Sequence, residues 1–201
     1  VYKRQEASRQ EIVRRYYDSL NALLKGNSPE EEAQKIELLM NQANVTIQDR
    51  HVVAAALKRA EETHTPAAAL ELDDGRIITG KTTNLLGASA ALLLNVIKEL
   101  AGLKHELHII SPESIEPIQK LKVDYLKSKN PRLHTDEVLI ALSASAATNP
   151  DARLALQQLS KLNGCQAHTS VMLSDVDIRT FKRLGVQLTC EAVYETGYNY
   201  H

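Results

Sequence analysis

The sequence predicts an α/β protein: a three-layer α/β/α sandwich on a mixed, mainly parallel sheet with one β-hairpin, preceded by a helical segment. Three observations predict it. Apolar residues recur at helical spacing through the first sixty-odd positions. From Pro66 onward, short apolar runs alternate with such helical stretches, the pattern of strands joined by covering helices. Between two of those runs stands Asp74-Gly75, a strong hairpin signal. The division is a helical lead-in over 1–63 and an α/β domain over 64–201.

The first helix follows from Ile12, Tyr16, Leu20 and Leu23, and Gly26-Asn27 stops it. Ser28-Pro29-Glu30-Glu31 opens a second helix as a capping box, with Ala33, Ile36, Leu39 and Met40 as its apolar stripe. A third runs from about Gln48 to Glu62, with Val52, Val53, Ala56 and Leu57 inward. Ala67 to Leu72 and Arg76 to Thr79 read as the hairpin strands. Leu85 to Leu100 is a helix rich in small residues and apolar nearly all round, so it is packed on most sides. Leu107 to Ile110 reads as a strand, and Ser111-Pro112-Glu113 caps the helix carrying Ile115, Ile118, Leu121 and Leu126. Val138 to Leu142 is another expected strand. Asn149-Pro150-Asp151 opens a helix through Leu162, ended by Gly164. Val171 to Leu173 reads as a strand, Ser174-Asp175 caps a helix to Gly185, and Val186 to Thr189 is the last strand. The helix–hairpin–helix–strand–helix order over 51–128 is similar to a deaminase-like architecture. The H-x-E and P-C-x-x-C motifs of a zinc deaminase are missing, however.

Composition bounds the function. The 201 residues carry a formal charge of −1 with both signs interspersed, and only 4% are aromatic. That combination gives no electrostatic or stacking footprint for nucleic acid, and none for an anionic membrane. The longest apolar run, Ala88 to Ile97, is interrupted by Ser89 and Asn95 and is too short to span a bilayer. Two cysteines, Cys165 and Cys190, lie far apart, which favours a reducing cytoplasm over a disulfide framework. With no initiator Met, Val1-Tyr2-Lys3 reads as the start of a C-terminal piece of a longer protein.

Gly75 to Thr82 reads Gly-Arg-Ile-Ile-Thr-Gly-Lys-Thr and satisfies the phosphate-loop pattern letter for letter. It follows an apolar strand and precedes a helix, as such a loop does. Ile77 and Ile78 nevertheless prefer extended backbone, and Asp73-Asp74 puts two negative charges where a triphosphate would lie. These residue types favour a hairpin. Gly80, Lys81 and Thr82 then remain candidates for ligand contact at a strand end.

Two further candidates lie downstream. Asn130 to Glu137 is the densest polar loop. There Arg132 could grip a carboxylate or phosphate, and His134 could move protons near neutral pH. The bland alternative pairs Arg132 with Asp136 or Glu137. Ser143 to Asn149 follows an expected strand and precedes a helix, where open α/β sheets place anions, so Ser143, Ser145 and Asn149 join the set. His105-Glu106-Leu107-His108 falls one residue short of a zinc motif, and in a strand its histidines would face opposite ways, so no metal site is expected. Lys120, Lys122 and Asp124 read as a solvated helix face, and His168 and Cys190 as packing residues.

Gly80-Lys81 through Asn95, Pro117 to Asp124, Asn130 to His134, Leu139 to Leu142 and Asn149 to Ala152 resemble blocks of a bacterial family, domain of unknown function 1846. The resemblance runs from about Gln10 onward and corresponds to the C-terminal part of proteins roughly twice as long. It implies a missing N-terminal half with its own glycine-rich, phosphate-loop-like segment, and no established activity or cofactor. The ATP-dependent zinc protease label that some members carry finds no support in these residues. The expected function is therefore an accessory or small-molecule-binding domain that takes an anionic ligand and works with its own N-terminal half. Two alternatives are an NTP-binding enzyme using Gly75 to Thr82, and a structural or oligomerisation module built on Ala88 to Ala101 and the lead-in helices.

Overall fold

The computed structural model describes residues 1–195. Helices α1 (Tyr2–Leu24), α2 (Glu30–Gln42) and α3 (His51–Thr63) lead into the hairpin strands β1 (Ala67–Glu71) and β2 (Ile77–Lys81). Then come α4 (Ala88–Leu100), α5 (Pro112–Lys120), α6 (Thr135–Ser145) and α7 (Pro150–Leu156). A closing β–α–β unit consists of β3 (Gln166–Thr169), α8 (Asp175–Arg183) and β4 (Gln187–Cys190). The sheet runs β2-β1-β3-β4.

The α/β class and the three layers stand, and the sheet is mixed. Its balance differs from expectation, because β1 pairs antiparallel with both β2 and β3, and only β3 and β4 run parallel. Two expected strands account for the difference. Val138 to Leu142 lies inside α6, where Val138, Ala141 and Leu142 recur at i, i+3, i+4 and bury one face while Ile140 is exposed. Leu107 to Ile110 is irregular. Lys98 Nζ donates to the carbonyls of His105 (2.7 Å) and Leu107 (3.4 Å), satisfying backbone that a neighbouring strand would otherwise pair. The third strand lies at Gln166–Thr169, ahead of the expected 171–173. The helix–hairpin–helix–strand–helix order is thus not completed within 51–128: its strand is β3, more than sixty residues beyond α4.

The core lies mainly between the sheet and α4. Ala68 and Leu70 of β1 meet Leu92, Leu93, Val96 and Ile97, whose helix is covered in turn by Val138 and Leu142 of α6 and by Ala152 and Ala155 of α7. Ala69 faces the other way, onto Val52 and Ala56 of α3. The short alanines of β1 let helices approach both faces. Nine of the thirteen residues of α4 are buried by its own chain, so most of the surface expected to make oligomer contacts on Ala88 to Ala101 is covered. Leu39 and Leu57, expected inward, are exposed, whereas Val13 and Tyr17 carry the inner face of α1.

Asp74-Gly75 forms the hairpin turn, with Gly75 at φ 85° and the Leu72 N–H bonded to Arg76 O at 2.8 Å. This overturns the nucleotide reading of Gly75 to Thr82, since residues 77–81 are paired strand and leave no loop to wrap a phosphate. Gly80 has a packing role. A Cβ on it would lie 2.2 Å from the backbone nitrogen of Leu92.

One buried cation joins the layers. Arg50, the residue before α3, is fully buried, and its guanidinium spans β3 and β4. Nε donates to Thr189 Oγ1 (3.0 Å), Nη2 to the carbonyls of Ala167 (2.9 Å) and Gln187 (2.7 Å), and Nη1 to Gln166 Oε1.

Gly80→Ala should cost about 2 kcal/mol or more through overpacking. For a chain of this size that is a loss of roughly 6 °C in Tm, read by calorimetry. Arg50→Met should cost about 3 kcal/mol by orphaning strand carbonyls. Arg50→Lys should not restore it, because one ammonium cannot span that fan of acceptors. Urea denaturation checks both.

Candidate functional site

The starts of three long helices meet at the end of the sheet where β2 and β3 finish and β1 begins. They are α4 behind Gly87, α6 behind His134 and α8 behind Ser174. Between them lies a small cup of about 20 Å³ whose lining includes Thr82, Ser89, Arg132, His134, Ser174 and Asp177. Helix starts present unbonded N–H groups and partial positive charge, so the cup favours negative charge.

Two carboxylates answer that field. Asp177 Oδ1 accepts from the Thr135 N–H (2.9 Å) and Oγ1 (2.7 Å), and Oδ2 accepts from Ser174 Oγ (3.1 Å) and faces His134 Nδ1 at 3.2 Å. Burial alone would raise the pKa of Asp177, but the bonds from His134 and Thr135 and the charge of His134 outweigh it and hold the carboxyl below its usual range. The hydrogen bond to Asp177 in turn raises the pKa of His134, against the opposing effect of burial. Asp177 thus fixes the imidazole through Nδ1 and favours its protonated form, the arrangement by which a carboxylate orients an acid–base histidine. The second carboxylate is Glu195, whose Oε1 accepts from Arg132 Nη1 at 2.9 Å. Both side chains of that pair are largely shielded from solvent.

The expected site residues separate into four places. Thr82, Arg132 and His134 come together in the cup. Lys81 is exposed and, with Gly80, borders a separate groove of about 780 Å³ along the outer edge of β2. Ser145 and Asn149 border a third depression near Ser111 and Ser114. Ser143 is exposed on α6. Because 138–142 is helix, Ser143 to Asn149 lies at its far end. The 11 residues of α6 hold it about 16 Å from Arg132 and His134. Asn149 caps α7, accepting from the N–H groups of Asp151 (3.0 Å) and Ala152 (3.3 Å), and Ser145 Oγ donates to Ala141 O (2.9 Å).

Other expectations also shift. Arg132 pairs with Glu195 rather than Asp136 or Glu137. Glu137 instead meets Lys122 at 3.0 Å, and Lys122 also donates to Arg132 O at 2.6 Å. Lys122 is buried and not solvated, because the widened π-helical turn over 121–125 rotates it inward. His105 and His108, expected on opposite faces of a strand, both border the groove beside β2. Asp177 was hidden in the sequence as the third residue of α8, behind the cap Ser174. Its backbone N–H binds Ser174 Oγ at 3.3 Å, while its carboxylate reaches across to α6.

The model of the family described as domain of unknown function DUF1846, C-terminal, matches residues 48–200. The chain belongs to this family. The DUF1846 match takes in Arg50, α3, the whole sheet and every lining residue of the cup. The UPF0371 protein of Corynebacterium urealyticum is 54% identical over 189 residues, 94% of this chain and 38% of the relative. That of Corynebacterium efficiens is 53% identical over 190 residues, with the same coverage. One from Streptococcus pyogenes is 48% identical over 190 residues, again 94% and 38%. The chain spans about two fifths of the length of these relatives. No helix among the described residues is long and apolar enough to cross a membrane.

The two shifts in the cup fix a pH window. Asp177, held below its ordinary 3.8, stabilises the fold above that value and loses its contribution as pH falls through its lowered pKa. His134, raised above its ordinary 6.5, contributes below that value and loses it as pH rises through its raised pKa. Asp177→Asn should therefore destabilise most near pH 5, by about 1–3 kcal/mol, and less on either side. It should also lower the His134 pKa, read from the imidazole proton shifts by NMR.

Proposed function

We propose that this chain is the ligand-binding C-terminal part of a longer cytoplasmic protein. In this reading the cup between α4, α6 and α8 receives the anionic group, carboxylate or phosphate, of a small molecule. The observation that carries it is the Arg132–Glu195 contact at 2.9 Å, in which one of the chain's own carboxylates already lies against the basic side of the cup. The cup's free volume, about 20 Å³, is enough for a single water, so a ligand group enters by taking the place of Glu195. Arg132 then holds the anion through its planar fork, and the helix N–H groups share its charge. His134, oriented by Asp177 through Nδ1, is the group of the cup that can carry a proton near neutral pH. Cys165 and Cys190 are both buried and unpaired, which suits a reducing compartment.

Thermal shift against phosphate, pyrophosphate, dicarboxylates and nucleotides tests this reading. A matching ligand at a hundred times its Kd adds about 2.7 kcal/mol, or roughly 8 °C in Tm. Glu195→Gln should strengthen binding by removing the internal competitor, and Arg132→Gln should remove it. A screen in which none of these anions stabilises either the natural chain or the Glu195→Gln variant defeats the reading.

A further inference from the structure

A wide groove lies along a sheet edge. β2 is one of the two outer strands of the sheet, and no strand among the described residues pairs with its far edge. Bonds from the Leu72 N–H to Arg76 O and from the Thr82 N–H to Pro66 O, both 2.8 Å, bracket the hairpin and set its phase. With Ala68 opposite Gly80 and Leu70 opposite Ile78, those pairs exchange the ladder bonds. The N–H and C=O groups of Ile77, Thr79 and Lys81 therefore point outward. One of them is covered, since Asn95 Nδ2 donates to Thr79 O at 3.0 Å, and that carbonyl retains a second lone pair. Such an edge invites a further strand unless it is blocked.

The groove beside this edge has a volume of about 780 Å³ and two unlike sides. On the α4 side, Leu94, Leu107, Ile109 and Ile115 make an apolar wall. On the α3 side lie Arg59 and Lys81. Among the described residues the charged and titratable lining of the groove is Arg59, Lys81, Lys98, His105 and His108, without one Asp or Glu. In a chain whose acidic and basic residues number 25 and 24, a wall of one sign is a feature of the site. Arg59 adds a second indication, because its Nε is buried with no hydrogen-bond partner among the described residues. A buried donor of that kind calls for an acceptor.

We infer that β2 receives a fifth strand, supplied by the part of the longer family protein outside this chain, with apolar residues alternating with acidic ones. The alternation follows from strand geometry: successive side chains fall on the α4 side, against leucine and isoleucine, and on the α3 side, against Arg59 and Lys81. The source follows from length. The relatives match this chain over only 38% of themselves, so most of each relative lies outside the region that carries the open edge. The inference rests on those lengths and the groove, and is independent of the anion cup.

Hydrogen exchange on this chain and on the whole Corynebacterium urealyticum relative tests it. In this chain the amides of Ile77, Thr79 and Lys81 should exchange freely. In the whole relative the aligned amides should be protected at least a hundredfold. Thr79→Pro, which removes an outward donor, should abolish that protection in the whole relative and leave this chain's Tm nearly unchanged. Should it unfold the chain, Arg59→Glu, away from the strand backbone, should weaken the protection instead. Equal, fast exchange in both proteins overturns the inference. Protection already present in this chain and growing with its concentration also overturns it, by assigning the edge to a second copy.

Discussion

The guanidinium of Arg50 is the interaction on which the rest of this fold leans. It sits where three elements must be brought to one register: the start of α3, and the parallel strands β3 and β4. Each strand gives a backbone carbonyl and a side chain to the same planar group, so sliding either strand by one residue would remove acceptors from a fully buried cation. Burial is the main reason its pKa falls to about 10, and a group in that position has to be bonded. The network continues outward. Thr189 Oγ1, which accepts from Arg50, lies 2.7 Å from His168 Nδ1, and His168 Nε2 and the Tyr17 hydroxyl both meet Glu191 Oε1 at 3.0 Å. Tyr17 also packs on the His168 ring with centroids 4.7 Å apart. α1, α3, β3 and β4 are thus joined through polar groups on one sheet face, while the other face is held by the apolar packing of α4.

That division explains what could be read from the sequence. The hairpin was legible because Asp74-Gly75 between apolar runs has few other uses, and α4 because ten residues from Ala88 to Ile97 are almost all apolar. β3 was not. Its residues Gln166 to Thr169 include no large aliphatic side chain, and the partners that fix them, Arg50 on Gln166 and Ala167 and Tyr17 on His168, lie more than a hundred positions earlier. The run 138–142 failed for the opposite reason. Its apolar letters fit a strand or a buried helix equally, and the helix start ahead of it is fixed by a carboxylate on α8, not by a local cap.

The candidate site was legible to the same partial degree. Arg132 and His134 stood out because charged residues crowd a loop, and the structure places them together. Asp177, which orients the histidine, was hidden in a helix start. Ser143 to Asn149 was drawn into the set by a strand that is a helix, and leaves it with that strand. Glu195 could not be found at all, since nothing near it in sequence points to Arg132.

The phosphate-loop letters in Gly75 to Thr82 therefore marked something real without marking a nucleotide site. Gly80 is glycine because α4 crosses β2 too closely for a Cβ, and that close crossing fixes where β2 ends. Its last residue, Lys81, borders the groove, and the next, Thr82, is buried in the cup and bonded back to Pro66. The two depressions thus share one strand end and one helix, whose start lines the cup and whose middle, through Leu94, Asn95 and Lys98, lines the groove. A strand added along β2 would pair with the residues directly ahead of Thr82, so the groove and the cup meet at one strand end.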